Sequence, residues 1–166
     1  MKIHAALFLL LAFPIFVKAD CGKSVELSLK GYLVAINESN YEYISQCASV
    51  EALNSYVQTV QHFVEKYPAV SRGHPAWEES LNLLKEGKIN QKELFIKIKT
   101  AQKDQRTADH TKIETLEYIG SIKENKQTHV LYRVIAKEEL VPSVQPKVFS
   151  FILEDGQWKY AYFTYL

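Results

Sequence analysis

Most of the residue patterns that announce a catalytic or cofactor-binding site are missing from this sequence. It holds no Gly-x-Ser-x-Gly, no His-Glu-x-x-His, no phosphate-binding glycine loop and no dinucleotide fingerprint. Those absences remove the commonest hydrolase, zinc-peptidase and nucleotide-binding designs. Its 6 glycines stand singly and cannot line up into a phosphate cradle. Neither sign of charge dominates, with 20 Lys and Arg against 19 Asp and Glu. Stacked tyrosines could hold bases, but without a basic stripe to hold the backbone no nucleic acid is expected as partner. Cysteine is scarce: Cys21 and Cys47 are the only two, with no Cys-x-x-Cys spacing and no adjacent histidine. A metal knuckle or dithiol redox centre needs that spacing, so no metal or other cofactor is expected. No long apolar run follows residue 17, and no repeat or low-complexity stretch occurs. Aromatic residues are the opposite case, since 10 tyrosines and 8 phenylalanines rule out a disordered chain.

The first residues read as a secretory signal peptide. Lys2 supplies the positive end, Ile3 to Val17 the apolar run, and Val17-Lys18-Ala19 the small residues a signal peptidase requires. Cleavage after Ala19 would leave residues 20–166 as one near-neutral domain, secreted or periplasmic and free of the membrane. In an oxidising compartment two cysteines with none left over predict one disulfide, Cys21 to Cys47. Loop closure of that length contributes about 3.5 kcal/mol.

Residues 22–105 read as helical and 110–166 as a β-meander. Ser24 caps a first helix whose buried side is Val25, Leu29, Tyr32, Leu33 and Ile36, and a short turn through Tyr41, Tyr43 and Ile44 leads to Cys47. A second helix starts at Ser49, keeps Leu53, Tyr56, Val57, Val60, Phe63, Val64 and Tyr67 on one side, and stops at Pro68. A third opens at Pro75 and closes at Gly87; a fourth is capped by Asn90 with Glu93 and buries Leu94, Phe95, Ile98 and Ala101. His62 and Glu65 are three apart on the second helix but lack a third ligand, and Glu78 with Glu79 point about 100° apart, so both pairs read as solvated surface.

Four strands follow. Asp155-Gly156 between Phe149–Leu153 and Trp158–Tyr165 predicts a type I′ hairpin, because both turn positions need positive φ. That register sets Leu153 opposite Trp158, Phe151 opposite Tyr160 and Phe149 opposite Tyr162, all on one face. The first two strands turn at Asn125-Lys126, which places Glu117 with Tyr132 on one face and Tyr118 with His129 and Arg133 on the other. Between strands two and three, Pro142 and Pro146 interrupt the pattern, and the register there is undetermined. The expected fold is α+β, with N-terminal helices packed on a four-stranded antiparallel C-terminal sheet.

The helix ending in Gly31-Tyr-Leu-Val-Ala-Ile-Asn37, the Asn40-Tyr41 turn and the closing Leu153-Glu-Asp-Gly-Gln-Trp-Lys159 hairpin resemble the nuclear transport factor 2-like superfamily. The likeness covers residues 24–48 and 111–165; between them three helices stand where that family has a short strand pair and one helix. It implies either a small-molecule isomerase or dehydratase, or a non-catalytic binding or dimerisation module. For an enzyme the candidates are Glu117 with Tyr132, or His129 as proton acceptor with Tyr118 and Arg133. The reading adopted is a non-catalytic module binding a small apolar ligand or a protein partner, with Tyr118, His129, Arg133, Trp158, Tyr160 and Tyr162 as its surface; a homodimer formed through the sheet is the remaining option. A cavity holding buried Glu117 or His129 would favour the enzyme, and a filled core with exposed aromatics would favour contact.

Overall fold

A computed structural model describes residues 20–105, 113–136 and 146–163. Residues 1–19, where a signal peptide is expected, the link at 106–112, the connection at 137–145 and residues 164–166 lie outside the described residues. Six helices precede the sheet: α1 (Val25–Glu38), α2 (Tyr41–Gln46), α3 (Val50–Lys66), α4 (Pro68–Ser71), α5 (Pro75–Lys85) and α6 (Gln91–Gln105). Strands β1 (Ile113–Glu124), β2 (Gln127–Ala136), β3 (Lys147–Glu154) and β4 (Gln157–Tyr160) form one antiparallel sheet in chain order. The α+β arrangement is therefore the one expected.

Local chemistry accounts for the helix boundaries. Ser24 Oγ accepts from Leu27 N at 3.2 Å, and Ser49 Oγ accepts from Ala52 N at 3.0 Å. Asn90 and Glu93 form a reciprocal box: Asn90 Oδ1 accepts from Glu93 N at 3.1 Å, while Glu93 Oε2 accepts from Asn90 N at 2.7 Å. Gly87, at φ 69°, ends α5 in the left-handed conformation that glycine adopts without steric cost. The short segment after Asn40 is helical, and a further short helix, α4, was not anticipated. Asn40 caps α2 through a bond from Tyr43 N, and Pro68, expected as a stop, does end α3 and also opens α4, because proline suits a helix's first turn.

The core has two joined parts. On the sheet side Tyr32 of α1 packs against Tyr160 and Phe149, with ring centroids 4.6 and 6.3 Å apart, and Phe151 meets Tyr160 edge-on at 5.7 Å. Leu29, Ala35 and Val130 complete it. On the helical side Phe95 of α6 packs against Tyr56 of α3 at 5.0 Å, and Phe163 stacks on Phe95 at 4.5 Å. The buried residues of α3 are Ala52, Leu53, Tyr56 and Val60; the expected continuation of that stripe to Phe63 and Tyr67 fails, because both are exposed.

The disulfide joins Cys21 and Cys47, whose Cα atoms lie 5.2 Å apart, and both residues are buried. Its position explains what it does. The two segments it ties cover the outer edge of β4: Trp158 N donates to Gly22 O at 3.1 Å, Tyr160 N to Cys47 O at 2.9 Å, and Ser49 N to Tyr160 O at 2.9 Å. An unpaired strand edge is a site for unwanted pairing, and here the crosslink holds the cover in place. Ser28 joins the same knot. Its buried hydroxyl lies within hydrogen-bond reach of three carbonyls, those of Cys21, Ser24 (3.0 Å) and Trp158 (2.9 Å), and its single hydrogen is shared among them. Removing it in Ser28→Ala takes the side-chain donor away from these carbonyls, Ser24 O keeping its bond from Ser28 N, with an expected loss of about 1–3 kcal/mol in denaturant unfolding. A change below about 0.5 kcal/mol would show that water or backbone adjustment satisfies those carbonyls.

Candidate functional site

The two hairpin turns form as expected. Asn125 and Asp155 have φ 53° and 52°, Glu124 pairs with Gln127, and Leu153 pairs with Trp158. Away from the turns the register departs from simple alternation. In β1 Tyr118 pairs with Tyr132 and Gly120 with Leu131, which leaves Ile119 as an extra residue; a second irregularity lies between Ile113 and Thr115. A one-residue insertion moves every later side chain to the opposite face. Both proposed catalytic pairings are overturned in consequence. Tyr118 stands with Tyr132, ring centroids 5.4 Å apart, and Glu117 stands with Arg133, Oε2 to Nη1 2.6 Å.

The six expected surface residues therefore do not share one surface. His129 and Arg133 lie on the face of the sheet turned away from the helices. There His129 Nδ1 is 2.8 Å from Ser150 Oγ, and Nε2 is 3.5 Å from Glu124 Oε2. Tyr118 lies on the helix-facing side with its hydroxyl 3.2 Å from Ser121 Oγ, yet it is exposed because β1 runs beyond the helical cover. Tyr160 is core, 3 % exposed. Tyr162 does not pair with Phe149: Ala161 N donates to Ser150 O at 2.8 Å, the chain then bends, and Phe163 is drawn onto Phe95. Trp158 lines an open groove.

That site is an open groove of about 370 Å³ between the two hairpin turns, lined by Lys123, Asn125, Lys126, Thr128, Leu153 and Trp158 together with Gln127. Its volume is near the lower end of the roughly 300–1,000 Å³ usual for small-ligand sites. Strand parity assembles it. Lys123 pairs with Thr128, Thr128 with Phe151 and Leu153 with Trp158, so these side chains share the helix-facing side of the sheet just past the end of its covered part. Leu153 is 53 % exposed there, while Phe151 two residues earlier is 1 % exposed. The acidic residues of the two turns are held elsewhere. Glu124 is paired with His129, and Glu154 and Asp155 lie 3.2 and 3.5 Å from Lys159 Nζ. Among the described residues neither Lys123 nor Lys126 has a carboxylate within 4 Å, so the groove is locally cationic.

Lys123, Lys126, Thr128 and Leu153 were not expected to belong to a site. Gly120 carried the available signal for the register change, since glycine inside a strand often marks a bulge. A second exposed feature also escaped sequence reasoning: Phe63, Tyr67 and Val70 form an apolar patch beside Trp77, on which His74 stacks at 4.5 Å. Three tyrosines have hydroxyls held above the usual tyrosine range, each chiefly by burial: Tyr160, Tyr43 and Tyr132, the last also by the Glu26 carboxylate. Among the described residues there is no cluster of three or more His, Cys, Asp or Glu able to hold a metal, and no helix long and apolar enough to cross a membrane. No protein-family model, no curated protein and no solved structure gives a significant match to the chain.

Proposed function

We propose that this chain is an exported, non-catalytic binding module, built on a scaffold of the nuclear transport factor 2-like kind, that takes a small and largely apolar ligand at its hairpin-tip groove. The observation that carries the reading is the meeting of Leu153 and Trp158 in an open concavity, beside a helix–sheet core already occupied by Tyr32, Phe149, Phe151 and Tyr160. The alternative, a lyase or isomerase, has less support. Such an enzyme needs an acid or base enclosed in an apolar pocket, whereas Glu117 is exposed and spent on Arg133. The opening helix and short helix and the closing four-strand meander support the scaffold, with four further helices between them as a departure from it, and a disulfide without a membrane-crossing helix among the described residues is compatible with export.

Trp158 supplies the test, since Trp77 is the only other tryptophan. In a Trp77→Phe background, titration with the neutral apolar probe N-phenyl-1-naphthylamine should give saturable, one-to-one energy transfer from Trp158. Leu153→Ser, at an exposed position that does not endanger the fold, should weaken that binding about fivefold, the weight of roughly 1 kcal/mol of apolar contact. Probe emission unaffected by Leu153→Ser would remove the groove from the function.

A further inference from the structure

We infer that the groove's ligand is an anionic amphiphile, a molecule with an apolar body over Trp158 and Leu153 and one anionic head group received by Lys123 and Lys126; this rests on the groove being the binding site. The argument is the separation of charge across the sheet. Side chains alternate along a strand, so neighbours of opposite sign at the two turns are sent to opposite faces. Lys123 lies with Thr128 on the groove side, while Glu124, one residue on, faces away and pairs with His129. Glu154 likewise faces away from Leu153 and Trp158 and, with Asp155, is held by Lys159. Glu154 and Asp155 thus share Lys159 and Glu124 has the His129 imidazole beside it, while the two lysines lining the groove have no carboxylate within 4 Å among the described residues. Two like charges at one rim repel, and an anion between them relieves that repulsion. Asn125 at the same rim adds an amide donor for its remaining oxygens.

The same geometry favours a free molecule over a bilayer. A small ligand inside the groove meets only the lysines, whereas a flat anionic membrane resting on the hairpin tips would also meet Glu124 and Asp155, both highly exposed. The anionic group, whether carboxylate, sulfate or phosphate, is the shared chemistry.

The experiment uses the oxidised protein carrying Trp77→Phe and three eight-carbon probes differing in the head group: octanoate, octanol and octylammonium. Binding is followed by Trp158 emission and by the amide shifts of Thr128 and Gly156. Octanoate should bind about fivefold more tightly than octanol, the weight of two exposed charge contacts, and octylammonium most weakly. Lys123→Gln with Lys126→Gln, both at exposed positions, should erase the preference for octanoate over octanol. Salt at about 0.5 M should act like the double substitution, since screening then operates within a few ångströms. Octanol binding as tightly as octanoate, with no effect of the double substitution, would overturn the anionic inference and leave the groove intact. A preference for octylammonium would do the same. Silence with all three probes overturns both the inference and the groove itself. Binding to phosphatidylglycerol vesicles without any response to octanoate overturns it in favour of a membrane surface.

Discussion

Tyr160→Ala lowers stability by about 3–5 kcal/mol, the range for truncating a large aromatic in a packed core. For a chain of this size that corresponds to a melting temperature lower by roughly 10 °C or more. Three contacts are lost together. The ring leaves Tyr32 at 4.6 Å and Phe151 at 5.7 Å, and the hydroxyl leaves Ser28 O at 3.4 Å. The backbone of Tyr160 also anchors β4 to Cys47 and Ser49, so a vacancy behind it loosens the covered edge. Tyr160→Phe keeps the ring and should cost about 1 kcal/mol. A Tyr160→Ala protein that melts like its parent would mean that the helices do not pack on the sheet as described.

Tyr160 also sets an alkaline limit. Burial first, then the neighbouring Tyr43 and Tyr32, hold its hydroxyl well above the tyrosine value of about 10. Because the folded protein binds this proton more tightly than the unfolded chain, its contribution is fully present below pH of about 10 and declines as pH rises beyond that. Tyr43 and Tyr132 act in the same direction. Urea midpoints should therefore fall steadily above that pH.

Cys47→Ser is the second large effect, a loss of about 3.5 kcal/mol from the unfolded chain's regained freedom across the 26-residue separation. Because Cys47 O and Gly22 O pair with β4, the variant should also expose β4 to faster amide exchange at Trp158 and Tyr160. Cys21→Ser should match it, and the double variant should be no worse than either single one, since all three remove the same crosslink. Reductant should bring the parent protein to the variant's melting temperature. The groove lies on the opposite side of Trp158 from that pairing, so probe binding by the folded variant should persist. Melting that is indifferent to reductant would remove the staple from the stability of the fold.

Much of this was legible in the residues because it depends on short-range sterics. A β-turn at Asp155-Gly156 needs positive φ, a helix start needs Ser24, Ser49 or Asn90 to accept an amide, and two cysteines with no third have one pairing. Alternation and the 3.6-residue period then decide which side chains of α1 and β3 face inward, and Leu29, Tyr32, Phe149 and Phe151 are buried accordingly. These features are written locally and survive without knowledge of the rest of the chain.

Other features belong to the assembled molecule. Only the tertiary structure decides that Val130 stands opposite Phe149, because the intervening connection carries no register. Ile119 becomes an extra residue through the long β1–β2 pairing, and that one displacement exchanges the partners of Glu117 and Tyr118. Phe63 and Tyr67 keep helical spacing with the core yet are exposed, since a period shows which side of a helix is apolar and not how far its neighbours reach. The groove is of the same kind. Lys123 and Trp158 are far apart along the chain and meet only because two hairpins lie side by side in one sheet.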